Sequence, residues 1–325
     1  MREALFIKQN TKRWKAYEQG KAKSPDELAE NFVSITDDLA YAKTFYPRSN
    51  TTKYLNGLAS GFHQSIYKNK KEKTSRFAIF WKFELPLLFF KYRRQLLYAF
   101  AFFMVFTLMG MFSAMYDTGF VRLILGNDYV NLTNDNIAKG DPFGVYKQGG
   151  ELLMFAAIAA NNIYVELRLF VSGIFLSVGT LYGLMQNGIM LGSFQYYFFS
   201  KGLGMESVLV VWIHGTLEIS AIIIAGAAGL IMGNSLLFPK TYKRLVSLKM
   251  GAKDGVKIAI GIVPIFLVAA LFEGFVTRHT EMPVWLSVLI LTGSLTFIIW
   301  YVVIYPAQLN SKLNLNNPDI DETTF

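Results

Sequence analysis

A histidine and a glutamate inside a long apolar run are the residues of this chain that point most directly to chemistry. His214 and Glu218 lie within residues 211–233, where the other positions are apolar or small. An ionisable side chain near the centre of a membrane-spanning helix costs a few kcal/mol or more unless it is neutral, paired or faces a polar cavity. Residues four apart stack on one face of a helix. Both side chains therefore need partners inside the protein.

Other polar residues border the neighbouring apolar segments and belong to the same candidate site. They are Asn161, Asn162, Glu166 and Asn187. Three interpretations are open: a buried hydrogen-bonded cluster that locks the helices together, a polar site for a proton, an ion or a lipid headgroup, and a catalytic site. We expect Glu218 to be hydrogen-bonded to His214 or to an amide from Asn161, Asn162 or Asn187, because unsatisfied polar groups are costly in hydrocarbon.

The catalytic interpretation has the least support in the sequence. The chain has no His-Glu-x-x-His, Gly-x-Ser-x-Gly or paired-aspartate motif, and its other two histidines, His63 and His279, lie outside the predicted membrane core. The chain has no cysteine, which excludes disulfides and cysteine-ligated zinc. We therefore predict no catalytic residues, no bound metal and no cofactor.

Composition assigns the chain to the polytopic membrane proteins. Hydrophobic residues make up 53% of its 325 residues, with 28 Phe and 17 Tyr, which is too apolar for a soluble domain and too long for a single anchor. The net charge is +9, and more than half of the basic residues precede the first apolar span. The lysine-rich residues 68–73 have no nucleic-acid-binding motif around them, so we expect a solvated charge run.

Apolar length and charge placement predict an all-α bundle of about six membrane spans. Charge-free stretches place them at 96–116, 169–186, 188–200, 207–233, 258–276 and 284–305. The basic segment 234–257 and the basic N-terminal region should both be cytoplasmic, which requires an even number of crossings between them. Residues 188–200 should then cross as a short or broken helix, both termini should be cytoplasmic, and residues 151–162 are too short to span.

Four regions follow from this topology. Residues 1–75 are predicted to form a cytoplasmic helical domain, in which Ser24-Pro25-Asp26-Glu27 has the form of a helix N-terminal capping box. Residues 76–95 resemble an interfacial helix broken at Pro86, with aromatic rings at headgroup level. Residues 96–305 form the bundle, with an extracytoplasmic loop at 117–165, and residues 306–325 form a flexible cytoplasmic tail.

Small residues recur four apart in several spans and predict close helix packing. The glycines concerned are Gly179, Gly183, Gly188, Gly192, Gly229 and Gly233. Such spacing lets helix backbones approach one another in lipid, where no hydrophobic force drives association. The stripes fit packing inside one bundle or a homo-oligomer interface.

Several of these motifs together resemble the stage II sporulation protein M family. The resemblance rests on Asn161-Asn162-Ile163, Gly179-Thr180-Leu181-Tyr182, the run from Asn187 to Gly192, and His214-Gly215-Thr216-Leu217-Glu218, and it extends over roughly residues 30–305. It implies an integral protein of the bacterial or archaeal cytoplasmic membrane. In spore formers, members of this family act as a membrane scaffold in a complex with cell-wall hydrolases. The family offers no catalytic residues to transfer.

The sequence therefore predicts a non-enzymatic scaffold or assembly component of a cell-envelope machinery in the inner membrane. Its expected partners are the lipid bilayer, other envelope or membrane proteins and a second copy of itself, with no nucleic acid. The alternative is a transporter or lipid-translocating protein whose pathway includes the His/Glu/Asn site. An intramembrane metalloenzyme ranks third.

Overall fold

The computed structural model describes residues 2–19, 24–67, 76–147, 150–277 and 282–316. The chain divides into two compact units, Met1–Ser75 and Arg76–Phe325. The charge run expected at residues 68–73 lies outside the described residues. The all-α prediction is confirmed, since the described residues contain helices and turns and no strand.

The first unit consists of three helices around a core of its own. They are α1 (Glu3–Gln19), α2 (Pro25–Phe45) and α3 (Asn50–Tyr67). Ser24 caps α2 as predicted, because its side chain accepts a hydrogen bond of 3.1 Å from the backbone N–H of Glu27. Ile35 and Ala42 of α2 and Leu55 of α3 are fully buried in this core. Burial of these helical faces supplies the hydrophobic stabilisation of the unit.

The second unit begins with a helical segment that packs on the bundle. This segment comprises α4 (Arg76–Ile79), a π-helical turn (Phe80–Glu84) and α5 (Leu85–Lys91). The predicted break at Pro86 is wrong. The π turn lets the Leu85 N–H bond to the Phe80 carbonyl, and Pro86 stands in the first turn of α5, where a missing N–H is tolerated. The helix instead ends at Tyr92.

Part of this segment packs into the protein interior. The sequence instead predicts that its aromatic rings lie at the level of the lipid headgroups. Leu85 and Phe89 are at most 1% exposed. The indole Nε1 of Trp81 donates a hydrogen bond of 3.1 Å to the Gly261 carbonyl. Tyr301 in turn donates to the Trp81 carbonyl at 2.7 Å. These contacts belong to the core of the second unit.

The remaining helices form the bundle and its connections. They are α6 (Arg93–Tyr116), α7 (Thr118–Leu125), α8 (Asn127–Ala138), α9 (Glu151–Val171), α10 (Val178–Ser200), α11 (Gly204–Leu237), α12 (Arg244–Leu271), α13 (Val284–Ile299) and α14 (Tyr305–Asn316). A 3-10 turn extends α9 to Ile174, a π turn (Phe272–Val276) extends α12, and a π turn (Trp300–Ile304) joins α13 to α14. Among the described residues, five helical segments are long and apolar enough to cross a membrane: Arg93–Tyr116, Glu151–Ile174, Gly204–Leu237, Arg244–Val276 and Val284–Leu313.

Three predicted boundaries in this unit are wrong. The stretch 151–162 is not a short separate piece, because it forms the first half of the 24-residue segment Glu151–Ile174. The loop predicted at 117–165 therefore ends at Gly150. The span predicted at 169–186 is interrupted at residues 175–177, where Leu176 and Ser177 adopt positive φ angles of 52° and 67°. Residues 188–200 form the second half of α10.

α10 is a continuous helix of 23 residues, which corresponds to a rise of roughly 35 Å and is long enough to cross a bilayer. It is the sixth long helix of the bundle but is not among the five segments that are apolar enough to span, so the expected count of about six crossings stays a prediction. The tail predicted to be flexible from residue 306 is helical as far as Asn316, and residues 317–325 lie outside the described residues.

All six glycines of the predicted stripes face another segment of the same chain. A Cβ on Gly188 would lie 2.8 Å from the Phe103 carbonyl of α6, and one on Gly192 would overlap the Thr107 carbonyl. Gly229 and Gly233 of α11 meet Thr180 and Ser177, while Gly179 and Gly183 meet Ser172 and Leu169. The helix backbones approach closely at these points because no side chain intervenes.

A group of polar contacts joins α12 to the segment that enters the bundle. Tyr92 donates a hydrogen bond of 2.7 Å to Asp254, and the Lys91 ammonium lies 3.0 Å from the same carboxylate oxygen. Lys257 pairs with Glu84 in the same region. Burial, with a smaller contribution from the Asp254 hydrogen bond, raises the pKa of the Tyr92 phenol above its ordinary value. The phenol therefore remains a hydrogen-bond donor at every physiological pH.

Candidate polar site in the bundle

The candidate site forms where α11 meets the π turn at the end of α12. His214 is 4% exposed. Its Nδ1 lies 3.0 Å from the hydroxyl oxygen of Thr277. Its Nε2 lies 3.9 Å from Glu273 Oε2, which is too long for a hydrogen bond. The imidazole therefore has one nitrogen held by Thr277 and the other directed at a carboxyl group across a gap.

Glu218 completes the group from one turn further along α11. One potential ligand atom from each of His214, Glu218 and Glu273 can be chosen so that all three lie within 4.8 Å of one another. The spacing of four residues on α11 brings His214 and Glu218 to one side of the helix, as the sequence predicts. We refer to His214, Glu218 and Glu273 as the His-Glu-Glu cluster.

The π turn Phe272–Val276 positions Glu273 and Thr277. The extra residue of a π turn shifts the side-chain register of a helix, and such turns are frequent at functional sites. The turn is closed by a hydrogen bond of 2.8 Å from the Thr277 N–H to the Phe272 carbonyl, and Thr277 is 2% exposed. Glu273 and Thr277 were missed by the sequence reasoning. An acidic residue within the predicted span 258–276 was the signal that could have identified Glu273.

The predicted amides do not join this cluster. Asn161 is exposed, and the Asn187 side chain donates a hydrogen bond of 2.8 Å to the Gly183 carbonyl of its own helix. No hydrogen bond connects Glu218 to Asn161, Asn162 or Asn187 within the part of the chain that the structure describes. Of the partners expected for Glu218, only His214 lies beside it, and Glu273 is a neighbour that the sequence does not predict.

Asn162 and Glu166 form a second buried polar pair on α9. Glu166 has no exposed surface, and both of its carboxyl oxygens are without a hydrogen-bond partner among the described residues, as is the Asn162 side-chain nitrogen. Their spacing of four residues places them on one face of α9. Burial without a partner disfavours the charged form of this carboxyl group.

The chemistry available to the His-Glu-Glu cluster follows from its composition. Two carboxyl groups and one imidazole can share a proton, or they can supply one nitrogen and two oxygen ligands to a divalent cation. The Thr277 hydroxyl also lies 3.0 Å from the imidazole. The three potential ligand atoms within 4.8 Å of one another give the cluster a geometry that fits binding of a cation.

A cavity of about 300 Å³ reaches this region from the end of the bundle that carries residues 117–150. Ile213 and Thr277, which adjoin His214 in the chain and in space, line its inner part. Asp141 and Glu206 contribute carboxyl groups to its lining, together with Phe143 and Ser287. The cavity therefore comes as close to the cluster as Thr277, the residue that contacts His214.

The two units of the chain match different protein families. No curated protein and no solved structure matches the chain. Residues 4–68, in the first unit, match the family described as Domain of unknown function (DUF8413). Residues 99–278 match the family described as Stage II sporulation protein M. That match covers more than half of the chain and includes the His-Glu-Glu cluster and all six glycines of the stripes. The chain is an integral membrane protein that belongs to the stage II sporulation protein M family.

Proposed function

We propose that the protein is a non-enzymatic assembly component of a cell-envelope machinery, located in the inner membrane with both termini in the cytoplasm. Membership of the stage II sporulation protein M family supports a membrane protein of this type. The separate helical unit at residues 1–75 adds a second surface on which a partner could dock.

The observation that carries the proposal is the contrast between the inner and outer helices of the bundle. In the segments Gly204–Leu237 and Arg244–Val276, 50% of the residues in the apolar 18-residue stretch are buried. In Val284–Leu313 only 11% of the corresponding residues are buried. Gly293 of α13 lies in an open groove, since nothing stands within 4 Å of the position of a Cβ. Thr292, Thr296 and Trp300 line the same groove. An outer helix with an open small-residue groove suits association with a helix of another membrane protein.

Affinity purification of the full-length protein in a gentle detergent tests this proposal. We expect the wild type to retain specific envelope proteins, and Gly293→Leu to lose them while its thermal stability is unchanged, because the added side chain fills open space. Val303→Leu, at a position 62% exposed on the same segment, is the matched control and should retain the partners. Recovery of no protein with the wild type, or of only a second copy of the chain, would contradict the proposal.

Ion or lipid translocation is the second candidate, and the carboxyl groups of Glu218, Glu273 and Glu166 within apolar helical segments favour it. Such groups within membrane spans commonly mark ion or proton pathways. Reconstitution of the purified protein into liposomes distinguishes the two functions. The assembly role predicts neither ion flux nor lipid scrambling above that of empty liposomes. Flux that is lost in Glu218→Gln would favour translocation.

A further inference from the structure

We propose that His214, Glu218 and Glu273 form a binding site for a divalent transition-metal ion, with Zn²⁺ as the ion that the ligand set fits best. The site lies within the bundle and is independent of the assembly role proposed above. Its ligands would be His214 Nε2 and one carboxylate oxygen from each glutamate. The proposal rests on ligand geometry, on the contact that orients the histidine, on charge balance and on the cavity that extends to Thr277 beside the cluster.

The distances between the potential ligand atoms suit a shared metal ion. Zn²⁺ binds nitrogen and oxygen ligands at about 2.0–2.2 Å, so two ligands of a tetrahedral ion lie roughly 3.3–3.6 Å apart. His214 Nε2 and Glu273 Oε2 are 3.9 Å apart, and the three ligand atoms lie within 4.8 Å of one another. Small side-chain movements therefore bring them to bonding distance. Three protein ligands leave the fourth position for water, as in many zinc sites.

Thr277 orients the histidine in the way that metal ligands usually require. A ligating histidine typically donates its second ring N–H to an oxygen acceptor, which fixes the tautomer and the ring orientation. His214 Nδ1 lies 3.0 Å from Thr277 Oγ1. When Nδ1 donates to this hydroxyl, Nε2 carries the lone pair that a metal ligand needs, and Nε2 is the nitrogen that faces Glu273. Thr277 is thus the positioning residue of the site.

Charge balance and ligand type favour a transition metal. Two half-buried carboxylates side by side within a membrane bundle are costly, and one divalent cation neutralises both. An imidazole ligand suits Zn²⁺ and similar ions, whereas Ca²⁺ requires six to eight oxygen ligands. Glu206 and Asp141 line the cavity that leads towards Thr277, and their carboxyl groups would attract cations to its entrance.

Metal binding by the purified full-length protein tests the proposal. After treatment with a chelator and dialysis, the protein is titrated with Zn²⁺ in competition with a chromophoric chelator, and retained zinc is measured by elemental mass spectrometry. We expect one Zn²⁺ per wild-type chain and loss of binding in Glu273→Gln. Thr277→Val should weaken binding by roughly 10- to 100-fold, as is typical when a group that orients a metal ligand is removed. Glu151→Gln, which changes an exposed carboxyl group of α9, should bind as the wild type does.

A spectroscopic measurement keeps the proposal testable if a variant fails to fold. Co²⁺ added to the wild type should give the visible absorption of a four- or five-coordinate ion, and added Zn²⁺ should abolish it. A folded wild type that binds no more zinc than Glu273→Gln, or Co²⁺ with the spectrum of the free aqueous ion, would overturn the proposal. The cluster would then hold a shared proton instead of a metal.

Discussion

Replacing Gly229 with alanine should destabilise the bundle because one specific contact leaves no space for a methyl group. A Cβ at Gly229 would overlap Thr180 Oγ1 and lie 2.9 Å from both Thr180 Cγ2 and the Leu169 carbonyl oxygen. Thr180 is fully buried and donates a hydrogen bond of 2.8 Å to that carbonyl. The new methyl group must therefore displace a side chain that is already hydrogen-bonded.

The magnitude follows from three contributions. Overpacking costs about 1–3 kcal/mol, and loss of the Thr180 hydrogen bond costs about 0.5–1.5 kcal/mol. Alanine in place of glycine within a helix recovers about 0.5–1 kcal/mol. We therefore expect Gly229→Ala to lower the free energy of unfolding by about 2 kcal/mol. Gly229→Leu should disrupt the bundle more severely.

Gly215 provides a matched control on the same helix. Nothing lies within 4 Å of the position of its Cβ, so Gly215→Ala should stabilise the protein by up to about 1 kcal/mol. Equilibrium unfolding in detergent micelles measures both variants. Thr180→Ala should reduce the cost of Gly229→Ala in a double-mutant cycle, because it removes the overlapping atoms. Equal stability of the two glycine variants, or a cost unaffected by Thr180→Ala, would refute the packing argument.

Three further predictions address topology, the α12 contacts and the cluster. The chain has no native cysteine, so single cysteines can be introduced for labelling. A cysteine at Asp135 should be labelled from outside, whereas one at Lys249 should be labelled only after permeabilisation. External labelling at position 249 would contradict the six-crossing topology. In detergent unfolding experiments, Asp254→Asn should lower the free energy of unfolding by about 1.5–3 kcal/mol, because its charged hydrogen bonds are weakened. Tyr92→Phe should lower it by about 1 kcal/mol. Wild-type stability of both variants would show that the contact contributes nothing. Glu218→Gln should keep the fold and the size-exclusion profile. Glu218→Leu should lower the midpoint temperature of thermal unfolding, because the polar neighbours of Glu218 lose a partner. Equal midpoints for the two variants would place Glu218 outside the cluster.

The sequence predicts the features that arise from local signals. The cap at Ser24 follows from residues that are adjacent in the chain, and the apolar content of 53% requires burial in a membrane. The long helix containing His214 and Glu218 is found where the apolar run places it. Each of these predictions needs only the periodicity of one helix or the chemistry of one turn.

The second and third long helices of the bundle were misplaced because the turn between them carries no breaker signal. Phe175, Leu176 and Ser177 include neither glycine nor proline, yet Leu176 and Ser177 adopt left-handed backbone angles. The polar Asn187 inside α10 was instead interpreted as a span end. Its amide bonds to a carbonyl of the same helix, which satisfies it without interrupting the helix.

The cluster could be predicted only in part, since one of its three residues comes from a distant segment. His214 and Glu218 were identified because they interrupt the centre of an apolar run. Glu273 stands near the end of its span, where an acidic residue is ordinary, and only the tertiary packing of α12 against α11 brings it to His214. The π turn that directs it inward has no sequence signature.

The close pairing of α6 with α10 has a consequence for biogenesis. Gly110 of α6 contacts the Ile189 backbone of α10, but about 80 residues separate the ends of the two helices. At a synthesis rate of about 5–20 residues per second, α6 waits roughly 4–16 s in the membrane before its partner helix is complete. During that interval its small-residue face is open to other nascent helices. The insertion machinery must therefore hold α6 until α10 arrives, and slow translation across this interval would lengthen the time available for incorrect pairing.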